Sequence, residues 1–148
     1  MFGRLGLLLM LSITVMAARE YKAVFDCSSS DARYIAGRMA LVEKTLEMIE
    51  AKGDRAVFAV TFHGGCVEAL SRNKEHFTPN ERTIMNTAHR TIERLHEGYG
   101  IEMVACAMSL EANGLEEADI LPFVRISPNS YIDTIGYQND GYAIMTFP

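Results

Sequence analysis

The 148-residue chain has no cluster of lysine or arginine, no internal repeat, no low-complexity stretch and no glycine-rich motif that cradles phosphate. Each absence removes a class of function. Fourteen basic against nineteen acidic side chains give a net charge of −5, which argues against nucleic acid as the main partner. Gly64-Gly65 fits neither dinucleotide-binding nor P-loop spacing, so it reads as a tight turn after a strand and nucleotide binding is unsupported. Ser109 falls inside an expected helix with no nucleophile elbow around it. No apolar run reaches the roughly 20 residues needed to span a bilayer.

The longest apolar run extends from Leu5 to Met16, follows Arg4 and ends at Ala17-Ala18. That is the layout of a secretory signal peptide. Val15-x-Ala17 suits a cut after Ala17, so residues 1–17 are expected to be a leader and 18–148 the mature domain, periplasmic or secreted, with no stable membrane span. An uncleaved anchor is the alternative, for which the run is short. What remains is long enough for one domain, and a hydrophobic content of 49% supplies a single core.

Cysteine is scarce and odd in number: Cys27, Cys66 and Cys106. In an oxidising compartment three cysteines leave at least one thiol unpaired in a monomer. The plainer possibility is that all three are small buried hydrophobes.

Residues 21–26 read as a first strand, and the serines at 28–30 with Asp31 supply N-caps for a helix whose stripe is Ile35, Met39, Val42, Leu46 and Ile49. Residues 55–62 form an apolar run suited to a strand covered on both faces, broken at His63-Gly64-Gly65. A short helical piece at 67–70 and a loop at 71–77 precede Thr78-Pro79-Asn80-Glu81, a capping box with proline at the first helical position. The second long helix carries Ile84, Ala88, Ile92 and Leu95 and closes at Gly98 and Gly100. A strand at 101–105, a helix through Asn113 stopped by Gly114, a strand at 123–126, a helix at about 129–139 and a strand at 142–147 complete the chain. Glu116, Glu117 and Asp119 look like a solvated helix start, and Met39, Met48 and Met85 like core or its edge. Alternation of strands and helices predicts a single three-layer α/β/α domain with a five-stranded, mostly parallel sheet.

Cys27, His63, Cys66 and Cys106 each fall at or just past the C-terminal end of an expected strand, which gathers them toward one edge of the sheet. Three chemistries are open. Cys106 sits where a strand meets a helix, and a helix start favours thiolate over thiol, so it is the candidate nucleophile or sulfur carrier with His63 as base or cation. Alternatively, His63 and Cys66 form half of a soft-metal site completed by Cys27 or Cys106. In the third, two cysteines make a disulfide and the last is idle.

The stretch from Gly100-Ile101 through Cys106 to Asn113-Gly114-Leu115 resembles the strand, cysteine, helix and glycine pattern of the DsrE/DsrF-like family of small sulfur-relay proteins. Leu121-Pro122, Ile126-Ser-Pro128, Gln138-Asn-Asp-Gly141-Tyr142 and the terminal Pro148 are similar to that family's closing segment, as is His63-Gly64 after the second strand. The resemblance covers the chain from about Tyr21. It implies a five-stranded parallel sheet, assembly into homo-trimers or hexamers, and a persulfide carried on Cys106 between sulfur donor and acceptor proteins or small sulfur compounds. No cofactor is expected, and Cys27 and Cys66 match no motif of the family, so their roles stay open. The expected function is therefore a sulfur carrier of sulfurtransferase type. The alternatives are a non-catalytic oligomeric scaffold with buried cysteines, or a soft-metal module.

Overall fold

The computed structural model describes residues 17–148, so the leader expectation lies, Ala17 apart, outside the described residues. Five strands form one sheet: β1 (Glu20–Cys27), β2 (Arg55–Phe62), β3 (Glu102–Cys106), β4 (Arg125–Ser127) and β5 (Ala143–Phe147). Their order is β4-β3-β2-β1-β5 and every pairing is parallel. Four α-helices connect them: α1 (Ala32–Glu50), α2 (Pro79–Tyr99), α3 (Ala107–Ala112) and α4 (Ser130–Asn139). A 3-10 helix, Gly64–Leu70, follows β2.

Local chemistry sets the helix ends. Asp31 Oδ1 accepts from the Tyr34 amide at 2.7 Å to start α1. Thr78 and Glu81 complete the expected capping box of α2, and Gly100 ends that helix at φ 67°, where a side chain would be disfavoured. The first two crossovers run in one direction along the sheet, whereas α4 carries the chain from the β4 edge back to the β5 edge. Right-handed connections therefore place α1 and α2 on one face and α4 on the other.

The two faces differ in content because successive strand residues point to opposite sides. Phe25, Cys27, Phe58, Val60, Phe62, Met103 and Ala105 face α1 and α2, where Ile35, Met39, Leu46, Met85, Ile92 and Leu95 complete the main core. Val24, Asp26, Ala59, Thr61, Val104 and Cys106 alternate with them and face α4. Three details depart from expectation. Met48 is 56% exposed, off the stripe that buries Met39 and Met85. The fourth strand begins two residues late, because Leu121 to Val124 form a turn closed by the Val124 amide on the Leu121 carbonyl. The helical piece begins at Gly64, ahead of the expected residue 67, and is a 3-10 helix.

An apolar cleft of about 610 Å³ lies between α1 and the β1–β5 edge, lined by Tyr34, Arg38, Leu41, Phe58, Met145 and Phe147 among others. It contains none of the four residues singled out at the strand ends.

Candidate functional site

At the C-terminal edge of the sheet the register places Asp26 beside Thr61, while Cys106 lies beside Ser127. His63, two residues beyond Thr61, leans back over β1. Its Nε2 lies 3.1 Å from Asp26 Oδ2, and Asp26 Oδ1 accepts the Thr61 hydroxyl at 2.7 Å. The Asp26 bond, opposed by partial burial and assisted by the charges of Asp26 and Cys106, lifts His63 above its ordinary pKa. Burial pulls Asp26 upward, but the bonds from His63 and Thr61 and the His63 charge prevail, leaving its carboxyl below the usual range. The couple is thus an ion pair over a wider range of pH than the two free side chains would be. The Tyr131 ring packs edge-to-face with His63, with centroids 5.9 Å apart.

Cys106 ends β3 and precedes α3, as its local sequence implies. It is the one free cysteine and is 4% exposed. Burial alone would push the thiol up. Four donors reverse that effect: the Ser130 and Ser109 amides and the hydroxyls of both serines stabilise the thiolate and hold the Cys106 pKa below its ordinary value. These contacts stop short of a side-chain capping hydrogen bond from α3 to Cys106. Two of the donors are freed for it by other contacts. Asn129 caps α4 by accepting from the Tyr131 amide at 3.0 Å, leaving the Ser130 amide to face the sulfur. Ser109 Oγ accepts from the Gly64 amide at 2.9 Å, so its own proton can turn toward Cys106.

The surroundings fix these donors in place. Asn113 Nδ2 donates to the Gly64 carbonyl at 3.0 Å, joining α3 to the loop after His63. On the far side, Arg125 of β4 binds Glu102 of β3 at 2.7 Å and Asp133 of α4 at 2.8 Å. Tyr137 donates to the same Glu102, and burial together with that carboxylate raises its phenol well above the ordinary value. This network clamps α4, and with it Ser130, against the sheet.

Cys27 and Cys66 form a disulfide with Cα atoms 5.8 Å apart, both fully buried. The metal half-site is thereby ruled out in the form expected, since Cys66 and Cys27 have no free thiolate to offer. Among the described residues no group of three or more His, Cys, Asp and Glu side chains converges to hold an ion. Two cysteines pair, as the third alternative held, but the remaining one lies among thiolate-stabilising donors.

The sequence reading missed Asp26, Thr61, Ser109 and Ser130 as members of the site. Asp26 and Thr61 were accessible by counting: each is the penultimate residue of its strand, the two pair in register, and Thr61 lies two residues before His63. Ser130 was not, because its approach depends on a crossover that spans the whole sheet.

The model of the DsrE/DsrF-like family matches residues 22–147. An uncharacterized protein of Aquifex aeolicus (strain VF5) is 31% identical over 141 residues, covering 95% of this chain. The chain spans 62% of that relative's length. Among solved structures, the protein of unknown function MTH1491 from Methanobacterium thermoautotrophicum shares the fold with a TM-score of 0.66 at 20% identity, over 86% of this chain and 99% of that one.

Proposed function

The chain belongs to the DsrE/DsrF-like family, and from that premise we propose that it carries sulfane sulfur as a persulfide on Cys106. The family is generally linked to sulfur relay between partner proteins. One observation carries the proposal: the only free thiol is buried yet held below its ordinary pKa by the amides and hydroxyls of Ser109 and Ser130, beside the Asp26–His63 couple.

In the proposed reaction the Cys106 thiolate attacks the outer sulfur of a persulfide or polysulfide. The donor's S–S bond breaks and its remaining sulfur leaves as a thiolate or shorter polysulfide. An acceptor thiolate then attacks the outer sulfur on Cys106 and displaces the Cys106 thiolate. No net electron change occurs over the cycle. His63, held by Asp26, serves as the nearby cation for thiolate or persulfide, and the serine donors stabilise the anion.

Incubation with polysulfide and mass spectrometry test this directly. The expected result is a gain of about 32 Da per sulfur on the intact chain, abolished in Cys106→Ser. A gain that persists in the serine variant places the sulfur elsewhere and ends the proposal.

The 4% exposure of Cys106 favours a second reading, a scaffold with an inert thiol. Native alkylation separates the two, since a scaffold reacts only after denaturation and a carrier reacts while folded. Export and self-association belong to the same proposal. The leader-like start and the buried disulfide support an oxidising compartment. N-terminal sequencing of the exported protein is expected to begin at Ala18, and light scattering to give a mass above that of one chain.

A further inference from the structure

We infer that the Cys27–Cys66 disulfide is a positioning element for Cys106: it holds His63 against Asp26, and opening it lowers the reactivity of the thiol on the other face of the sheet. The inference rests on the reading of Cys106 as a reactive thiolate.

The two bridged residues flank the couple in sequence. Cys27 directly follows Asp26, and Cys66 comes one 3-10 turn after His63. Backbone bonds repeat the link, from the His63 amide to the Cys27 carbonyl at 2.9 Å and from the Cys66 amide to the His63 carbonyl at 3.1 Å. The loop between has no slack. A Cβ on Gly64 would stand 2.9 Å from the Ser28 carbonyl oxygen, and one on Gly65 would stand 2.5 Å from Ser30 Cβ. The same loop then reaches α3 through Gly64, whose amide and carbonyl engage Ser109 and Asn113. His63 is thus placed by a segment fastened covalently to β1 and by hydrogen bonds to the helix that follows Cys106.

Reduction by a dithiol protein or a small dithiol transfers two electrons and two protons to the bridge. It yields two thiols here and a disulfide in the reductant. Without the bridge the 63–66 segment keeps only hydrogen bonds to β1, so loss of the covalent tie frees it to shift. His63 follows β2 at the strand end next to that of Cys106, where it meets Asp26 and Tyr131, and the Gly64 amide after it holds Ser109 of the helix that follows Cys106, so movement of this loop disturbs both the cation and a donor on the thiol's side of the sheet.

The test follows the rate of Cys106 alkylation by iodoacetamide against pH. In the oxidised chain and in Cys27→Ala/Cys66→Ala, Cys106 is the only thiol, so the readout is unambiguous. The double variant is expected to shift the profile to higher pH and to slow the reaction at neutral pH roughly tenfold. His63→Gln is expected to do the same, and adding it to the double variant to change little further, since both act through one residue. A folded double variant with an unchanged profile overturns the inference, as does full additivity with His63→Gln. Should the double variant not fold, the native chain opened with a dithiol, with labelling of the Cys106 peptide quantified by mass, is expected to show the same shift, and no shift overturns it. Failure of the sulfur-carrier reading is separate: it appears as no mass gain with polysulfide while the alkylation shift remains.

Discussion

Asp26 and His63 depend on pH in opposite senses and so bracket a window. Asp26 ionises below its unfolded value, so its contribution is present above about pH 4 and is lost as pH falls through the folded pKa. His63 binds its proton more tightly when folded, so its contribution is full below about pH 6.5 and fades as pH rises through the raised pKa. The pair therefore stabilises most in mildly acid solution. Urea denaturation of His63→Gln should show a loss of about 1 kcal/mol near pH 5.5, allowing for solvent screening of a partly exposed pair, and much less at pH 9. Cys106 carries the opposite trend, with a depressed pKa whose stabilisation is present above the unfolded thiol value and lost as pH falls through the folded one. Ser130→Ala removes a hydroxyl from the thiolate while keeping the amide. Alkylation of Cys106 at pH 7 is expected to slow severalfold, in line with the loss of one hydrogen bond to a charged group, and an unchanged rate would show that the hydroxyl contributes nothing.

At the scale of elements, the two faces of the sheet separate stability from chemistry. Leu46 is buried between α1 and the sheet, so Leu46→Ala should cost about 2–5 kcal/mol in thermal or urea melts while leaving the pH profile of Cys106 alkylation in place. Gly65→Ala should do the reverse in emphasis. A side chain there meets Ser30, so the loop shifts, costing about 1–3 kcal/mol and displacing the His63 Nε2 resonance. The elements themselves were legible in the sequence because their signals are local: the capping box at Thr78 and Glu81, the stripe from Ile35 to Leu46, and the glycine stop at Gly100. The strand end at Cys106 and the collection of His63 with Cys106 at one edge followed from counting strands. The pairing of Cys27 with Cys66 did not, since it depends on which way each loop turns after its strand. Nor did the approach of Ser130, because the first turn of α4 reaches Cys106 only through the clamp of Arg125, Glu102 and Asp133.

Across the whole molecule the three cysteine sulfurs divide between two sides. Cys27 shares its side with Phe62 and Ala105, the residues in register with it or next in line, and one step along β3 turns Cys106 the other way. Sulfur exchange needs the attacking atom in line with the S–S bond at contact distance, and a layer of backbone intervenes. The sheet is thus an insulator between the disulfide and the one free thiol. On the proposed carrier reading, a persulfide on Cys106 is kept from unravelling the bridge, and the bridge from taking its sulfur. Peptide mapping after loading should find the added mass on the Cys106 peptide with the Cys27–Cys66 link intact, and mixed trisulfides between the two sites would show the insulation to leak.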